Sequence, residues 1–431
     1  MGRKRKGRTL EVYVGASRVG LYARAPSGAL SFRYDPQWLA LTRAFPVSLS
    51  MPLSDRTWSG DQVHSYFDGL LPDDQALRDK IAARERAESA GTFDLLAVIG
   101  RDCVGALRFV PEGLDPGDPA RMTYRPVSDE EIARRVASLG ASPLGMSADE
   151  EDFRISIAGV QEKTAFLWAE GQWQIPLGTT PTSHIFKPAI KRGPHGADFS
   201  DTPWNEWVCL AFCRALGLET ARADVHHYDG NPVIVVERFD RQWQDGVLYR
   251  LPQEDICQAL GVPLLRKYES DGGPGIVDVL AFLNGAASPR EDRLSFMKAQ
   301  IVFWLLAAID GHAKNFSILL TPGGYKLTPL YDVMSAAPYP ALSDHKVKLA
   351  MAVGDRRHYR LKEIQPRHFY QTGQKAGLGK RDMDDLFADL LAKVDAALAT
   401  VAEQAGLAGV PQTTLEPIRD GVKRRIRMIE Q

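Results

Sequence analysis

The chain has 431 residues, of which 44% are hydrophobic and 25% charged, which is typical of a folded protein of two to four domains and excludes wholesale disorder. Lysine plus arginine (53) nearly balance aspartate plus glutamate (54), and the net charge of −1 argues against a strongly basic nucleic-acid-binding protein. The longest uninterrupted apolar run, Ile301–Ile309, is far shorter than the ~20 residues of a membrane-spanning helix, so we expect no membrane association.

The first third of the chain is predicted to form a small domain. Its basic start, residues 1–8, is not followed by the apolar stretch of a secretory signal, and four cysteines are too few for a disulfide framework, so we expect a cytoplasmic location. Apolar alternation predicts strands within residues 10–34, and the Ala-, Arg-, Glu- and Leu-rich residues 74–90 predict a helix. The Pro-, Gly- and Asp-rich stretch 111–119 is typical of a linker. We therefore predict an N-terminal subdomain over residues 1–110.

The middle of the chain, residues 111–239, is predicted to be rich in strands. Phe153–Ile157 and Thr164–Trp168 have the pattern of two strands joined by a short loop, and His184–Lys187 indicates another. The β-branched run Val233–Val236 predicts a buried strand. We expect this part to be a small lobe that ends in a hinge.

Residues 240–431 are predicted to form a helical large lobe. Four segments have helical composition and periodicity: Ile276–Leu283, Arg290–Ile309, Arg381–Gln404 and Pro417–Glu430. The predicted class is therefore α+β, with a β-rich N-terminal part and a helical C-terminal lobe. A strand-rich lobe hinged to a helical lobe suits a nucleotide held between the two.

The strongest chemical signal is the run from Asp310 to Asn315. These two residues have the Asp-x-x-x-x-Asn spacing of a kinase catalytic loop. Phosphoryl transfer needs a carboxylate that accepts the hydroxyl proton, an amide oxygen that helps to hold magnesium, and a second carboxylate on the metal. Asp332 follows an apolar run seventeen residues after Asn315 and supplies that second carboxylate. The alternative interpretation is that Asp310 and Asp332 are turn or cap residues, because this spacing is common by chance.

The loop Ser156–Lys163 joins two predicted strands and offers backbone N–H groups to phosphates. It contains a single glycine, Gly159, so it is neither a Walker A motif nor a G-x-G-x-x-G motif. Lys187 follows an apolar strand and is suited to pair with α- and β-phosphates. Taken alone, the loop could be an ordinary hairpin and the lysine a solvated surface residue.

The segment Val236–Arg241 follows the predicted buried strand at the expected hinge. The backbone N–H and C=O groups of Glu237 and Phe239 are placed to bind the edge of an adenine. The charged Arg238, Asp240 and Arg241 favour ion pairs between the two lobes.

Several segments occur in an order that resembles one known family over nearly the whole chain, the HipA family of serine/threonine kinase toxins from bacterial HipBA toxin–antitoxin modules. The segments are Phe93–Leu96, Ile99–Asp102, Phe153–Lys163, His184–Lys187, Val236–Arg241, Leu251–Asp255, Lys267–Gly275, Asp310–Ser317 and Leu327–Asp332.

The resemblance implies a protein-kinase-like, two-lobed fold that binds ATP and Mg²⁺. By position, Asp310 is the catalytic base or substrate-orienting group, Asn315 and Asp332 complete the catalytic set, and these last two hold Mg²⁺. The residues that the resemblance places at ATP are Ala158, Gly159, Val160, Gln161, Glu162, Lys163, Lys187, Glu237, Arg238, Phe239, His312, Lys314, Asn315, Tyr331 and Asp332.

The resemblance also implies regulation and partners. Ser156 corresponds to a serine on which family members autophosphorylate and so inactivate themselves. The implied protein substrate is glutamyl-tRNA synthetase, whose modification stops translation and causes growth arrest and persistence. The implied partners are a HipB-like antitoxin and, mainly through it, operator DNA, where the chain acts as a co-repressor. Two alternatives remain open: a non-catalytic scaffold in an antitoxin–DNA complex, and a phosphotransferase acting on a small molecule.

Overall fold

The structure is a computed structural model that describes residues 8–145, 155–159, 161–190, 198–342 and 347–431. Within these ranges the chain forms eighteen β-strands and twelve α-helices. The strands are β1 Arg8–Val14, β2 Ser17–Arg24, β3 Leu30–Tyr34, β4 Thr57–Ser59, β5 Leu107–Pro111, β6 Tyr124–Pro126, β7 Thr164–Ala169, β8 Gln172–Pro176, β9 His184–Pro188, β10 Ala223–Tyr228, β11 Asn231–Glu237, β12 Arg241–Gln244, β13 Val247–Arg250, β14 Gln253–Asp255, β15 Ser317–Thr321, β16 Gly324–Leu327, β17 Lys348–Val353 and β18 His358–Arg360. The helices are α1 Pro36–Leu39, α2 Asp61–Asp68, α3 Gln75–Arg84, α4 Thr92–Ile99, α5 Asp129–Ser138, α6 Thr202–Ala215, α7 Ile256–Leu260, α8 Ile276–Phe282, α9 Pro289–Leu306, α10 Pro366–Lys375, α11 Lys380–Ala408 and α12 Gln412–Glu430.

The chain divides into two compact units, and the first contains the described residues of 1–187, 237–264 and 319–322. Its N-terminal part is an antiparallel sheet in the order β4-β3-β2-β1-β5. Tyr22 and Phe67 stack in its core with their ring centroids 4.1 Å apart. The apolar alternation along the strands places such side chains on the face that packs against the helices.

A second group of strands in the first unit carries the predicted nucleotide loop. Strands β6, β8, β7 and β9 lie side by side in this order. Thr164 of β7 pairs with Phe186 of β9. The loop that precedes β7 therefore lies beside the end of β9, which bears Lys187.

The second unit contains the described residues of 188–236, 265–318 and 323–431. It holds α6 and α8 to α12 together with the hairpins β10–β11 and β17–β18. The C-terminal half of α9, Phe296–Leu306, is buried throughout, as expected of a helix that passes through a core. Ala307 adopts a left-handed conformation (φ 55°) and ends α9, so that the chain turns into the predicted catalytic loop.

The predicted α+β class is confirmed, and the four C-terminal helices form where they were predicted. The strand predicted at Phe153–Ile157 is wrong for residues 155–157, and residues 153 and 154 lie outside the described residues. Instead of joining a strand ladder, the Ser156 N–H donates to the carbonyl of Asp102 (2.9 Å). The division into 1–110, 111–239 and 240–431 stays a prediction.

A network of buried charges links the segment after β11 to the N-terminal part of the first unit. Asp102 accepts hydrogen bonds from Arg241 and Arg250, each at 2.9 Å, and Asp240 pairs with both Arg238 (2.8 Å) and Arg241 (2.9 Å). All five side chains are nine-tenths or more buried. The ion pairs predicted for Arg238, Asp240 and Arg241 therefore form, but within one compact unit rather than between two lobes.

Glu254, from one of the matched segments, is a buried carboxyl group with a structural role. The Ser48 hydroxyl donates to its Oε2 (2.6 Å) and the Leu49 N–H donates to its Oε1 (2.8 Å), which ties the segment between α1 and β4 to β14. Burial raises the pKa of Glu254 to about 8, although these two hydrogen bonds oppose the shift. The folded protein therefore keeps a proton on Glu254 at pH values where the unfolded chain has lost it.

We expect the Glu254→Gln variant to lose less stability than the wild type as the pH rises. A carboxyl group with a raised pKa stabilises the fold at low pH, and this contribution disappears between the unfolded value near 4.5 and the folded value near 8. Between pH 5.5 and 8 the wild type should lose on the order of 2 kcal/mol more than the variant. Thermal unfolding at several pH values measures this difference. The exposed Glu112→Gln variant is the control and should follow the wild type; a Glu254→Gln curve parallel to the wild-type curve would contradict the assignment.

Candidate active site

The predicted catalytic loop is a tight turn in the second unit, held by bonds to the backbone of Asp310. The Asp310 carbonyl accepts hydrogen bonds from the His312 N–H (2.8 Å) and from Nδ2 of Asn315 (2.7 Å). Ala313–Asn315 form one turn of 3₁₀-helix. The spacing of four residues thus lets the asparagine side chain fix the main chain of the aspartate.

The Asp310 carboxylate points out of this turn, and half of its side-chain surface is exposed. The Tyr268 hydroxyl donates to its Oδ1 at 2.5 Å. Among the described residues, no hydrogen bond reaches Oδ2. This oxygen is available to accept a proton from a substrate hydroxyl, which is what a general base requires.

His312 is buried beside Asp310. Its Nε2 lies 3.9 Å from Asp310 Oδ1, and its Nδ1 has no hydrogen-bond partner among the described residues. Burial lowers the pKa of His312 below its usual value; the carboxylates of Asp310 and Asp332 oppose the shift, and Lys267 adds to it. The lowered pKa favours the neutral form of His312 at pH 7, and its Nδ1 is a buried atom.

The Tyr331 side chain joins the segment of Asp332 to the catalytic loop. Its hydroxyl donates to the carbonyl of Lys314 (3.0 Å) and lies 2.6 Å from the Ser317 hydroxyl. Asp332 itself has a left-handed backbone (φ 58°), an uncommon conformation that often occurs at functional sites. Asp310, Asn315 and Asp332 therefore lie in the same compact unit, and their catalytic roles stay predictions.

The chemistry of Asn315 and Asp332 fits a magnesium ion that arrives with a nucleotide. Because Asn315 uses Nδ2 for the Asp310 carbonyl, its side-chain oxygen is left without a hydrogen bond among the described residues. The part of the chain that the structure describes has no group of three or more His, Cys, Asp or Glu side chains suited to a metal. This is compatible with Mg²⁺, which in phosphotransferases is usually held by one or two protein groups together with phosphates and water.

In the first unit, Lys163 of the predicted phosphate loop contacts the backbone of Ala158. Its Nζ donates to the carbonyl of Ala158 (2.8 Å). Gly159 has φ +107°, a backbone conformation that residues with a side chain rarely adopt, so this position favours glycine. Gln161 and Glu162 are half-buried, and Val160 lies outside the described residues.

The register of β7 and β9 places two lysines opposite each other. Thr164 pairs with Phe186, so the next pair outward is Lys163 and Lys187. Both are buried, each about 6% exposed. The phosphate contacts of both lysines stay predictions.

Ser156 is fully buried in the first unit. Its hydroxyl donates to the carbonyl of Leu70 at 2.7 Å. A phosphate group on this oxygen cannot occupy the same space, so modification of Ser156 requires residues 155–159 to leave this arrangement.

The predicted hinge residues differ in burial and in hydrogen bonding. Glu237 is exposed and Phe239 half-buried, whereas Arg238 is buried. The Arg238 N–H donates to the carbonyl of Ser183 (2.9 Å), and its guanidinium group bonds to Asp240 and Thr182. The nucleotide contact of Arg238 stays a prediction, and it would have to use the carbonyl group.

Two side chains of the site were not predicted from the sequence. Ser317 is at the end of one segment that resembles the family, and Tyr268 is in another, Lys267–Gly275. The sequence indicates no catalytic role for either residue. Tyr268 is 42 residues from its partner Asp310, and no local pattern indicates such a pair.

Known proteins of one family match this chain over almost its whole length. Residues 155–398 match the HipA-like C-terminal domain, and residues 10–110 match the HipA N-terminal domain. The putative kinase Y4mE of Sinorhizobium fredii is 32% identical over 98% of both chains. The serine/threonine-protein kinase toxin HipA of Shewanella oneidensis is 30% identical, over 80% of this chain and 79% of that protein.

A solved structure shows the same fold. HipA in the complex of Shewanella oneidensis MR-1 HipA, HipB and operator DNA superposes with a TM-score of 0.80, at 24% identity, over 98% of both chains. Among the described residues, no helix combines the length and apolar composition of a membrane span. The chain belongs to the HipA family, which includes serine/threonine-protein kinase toxins.

Proposed function

We propose that the protein is an ATP- and Mg²⁺-dependent protein serine/threonine kinase and the toxin of a HipBA-type toxin–antitoxin module. The observation that carries this proposal is the Asp310 carboxylate, which is exposed, anchored through Oδ1 and open at Oδ2. Asn315 and Asp332 lie in the same unit and carry the oxygen ligands that magnesium prefers.

In the proposed reaction, a substrate serine hydroxyl donates its hydrogen bond to Asp310. Its oxygen forms a bond to the γ-phosphorus of ATP, the bond from this phosphorus to the β,γ-bridging oxygen breaks, and the hydroxyl proton passes to the Asp310 carboxylate. The neutral His312 adds no positive charge beside this carboxylate. When bound, Mg²⁺ neutralises charge on the phosphate oxygens.

The proposed substrate and partners rest on the resemblance to the family. We propose glutamyl-tRNA synthetase as the protein substrate, so that phosphorylation halts translation and leads to growth arrest and persistence. We also propose a HipB-like antitoxin as partner, with which the protein acts as a co-repressor, cytoplasmic when free and at the nucleoid when bound to operator DNA. The Shewanella complex supports these partners, and a net charge of −1 suits a protein that reaches DNA mainly through its partner.

The test is transfer of labelled phosphate from ATP to the proteins of a bacterial lysate, comparing the wild type with the Asp310→Gln variant. Label on protein with the wild type alone supports the proposal. Label on small molecules alone would indicate the other phosphotransferase, and no label with either protein would indicate the non-catalytic scaffold.

We expect protein produced without its antitoxin to carry phosphate on Ser156. Phosphorylation adds a charge near −2 to a hydroxyl that is buried against the Leu70 carbonyl, so the segment must leave its position and the kinase should lose activity. Intact-protein and peptide mass spectrometry locate the phosphate, and limited proteolysis reports whether the segment is exposed. Phosphate at other sites alone would refute self-inactivation at Ser156.

A further inference from the structure

The segment Lys267–Gly275 matches the family pattern but has no part in the function proposed so far. In the structure it lies against the catalytic loop. The Tyr268 hydroxyl donates to Asp310 Oδ1 at 2.5 Å, and its ring meets His312 edge to face, with centroids 4.8 Å apart at 87°. The Ala313 N–H also donates to the carbonyl of Lys267 (3.3 Å). The segment thus contacts the loop through both side chain and main chain.

The backbone around Tyr268 is fixed by a tight turn. Its carbonyl accepts hydrogen bonds from the N–H groups of Asp271 and Gly273, each at 3.0 Å. A Cβ at Gly273 would lie 1.8 Å from the carbonyl oxygen of Arg266, so only glycine permits this close approach. The tyrosine is therefore presented from a rigid turn.

The neighbouring Glu269 anchors the same turn on its other side. Its carboxylate accepts the N–H of Ala352 (2.6 Å) and pairs with Arg357 (3.1 Å). The position of Tyr268 is thus fixed before any substrate binds.

Asp310 needs such support because the last torsion angle of an aspartate is broad and a half-exposed carboxylate can rotate. His312 Nε2 is too far from Oδ1, at 3.9 Å, to form a hydrogen bond. Among the described residues, the Tyr268 hydroxyl is the only side-chain donor to the Asp310 carboxylate. It fixes Oδ1 and so determines where Oδ2 lies.

We propose that Tyr268 is a positioning residue of the kinase, which orients the Asp310 carboxylate so that its free oxygen accepts the substrate hydroxyl. This inference rests on the proposed kinase function and adds a residue outside the catalytic loop to its machinery. Because rates are sensitive to small errors in the orientation of a catalytic group, the effect should lie in the chemical step. ATP and protein substrate should bind as before.

The experiment measures steady-state transfer of labelled phosphate from ATP for the wild type and for Tyr268→Phe. The acceptor is the protein that the wild type labels in the lysate test. We expect kcat to fall roughly 10- to 100-fold, with both KM values within about twofold of the wild type. The control is Tyr370→Phe, which removes another tyrosine–aspartate hydrogen bond, to Asp384 (3.0 Å), in the same unit. Its kcat should match that of the wild type.

A double-mutant cycle separates positioning from a general structural effect. In the Asp310→Gln background, Tyr268→Phe should cause no further loss of the residual rate, because the carboxylate that it orients is gone. Additive losses in the double variant would overturn the proposal. So would a Tyr268→Phe variant with an unchanged or higher kcat, or with a change confined to KM. A wild type that transfers no phosphate would refute the kinase function itself, whereas an active wild type with a fully active Tyr268→Phe would refute this role alone.

Discussion

Replacing Asp310 by glutamine is expected to reduce phosphate transfer to protein about a thousandfold, within the range that general-base groups contribute. Glutamine is one methylene longer than aspartate, and its neutral amide cannot accept the hydroxyl proton. The hydrogen bonds that shape the loop go to the Asp310 carbonyl, which the substitution keeps. The loss should therefore lie in kcat, and the affinity for Mg-ATP should change little.

Single-turnover transfer and equilibrium binding of Mg-ATP measure these two quantities separately. The control is Asp395→Gln, at an exposed position on α11 in the same unit, which should transfer phosphate at the wild-type rate. Equal transfer by Asp310→Gln and the wild type would contradict the role of Asp310, and a loss confined to nucleotide binding would assign it to binding instead.

Replacing Asp102 by alanine is expected to destabilise the fold by about 3–5 kcal/mol, because it removes one partner from a buried charge network. Asp102 accepts hydrogen bonds from Arg241 and Arg250 through Oδ1, and from the hydroxyl and N–H of Thr182 through Oδ2. Burial alone would raise the pKa of Asp102, but the surrounding arginines hold it well below its usual value. The substitution leaves these guanidinium groups buried with too little negative charge.

Denaturant unfolding compares three variants with the wild type. Asp102→Asn keeps the shape and removes the charge, so it should also lose several kcal/mol. Asp55→Ala, at an exposed position of the same unit, should unfold like the wild type. If Asp102→Asn is as stable as the wild type, charge neutralisation is not what Asp102 supplies.

The parts of the site that the sequence predicts are those set by local spacing. Asp310 and Asn315 lie within one turn, and the hydrogen bond between them follows from their separation. Tyr268 and Asp310 meet across 42 residues, and Asp102 and Arg241 across 139. Such pairs depend on how whole elements pack, which periodicity does not encode.

The wrong prediction of a strand near Ile155 has the same cause, namely contacts with distant parts of the chain. The apolar alternation of this segment is real, and Ile155 and Ile157 are both buried. However, the hydrogen-bond partners of Ser156 are the carbonyls of Leu70 and Asp102 in distant parts of the chain. A period-two pattern predicts which side chains are buried and does not predict which groups satisfy the backbone between them.

The interleaved order of the two compact units has a consequence for the protein on the ribosome. Asp102 emerges long before Arg241 and Arg250, and residues 319–322 complete the first unit later still. The arginines that pair with Asp102 in the folded protein are therefore absent until more than half of the chain has been made. Premature termination would release an unfinished fold rather than a complete one. The supply of the proposed toxin would therefore depend on complete translation, the process that its proposed activity stops.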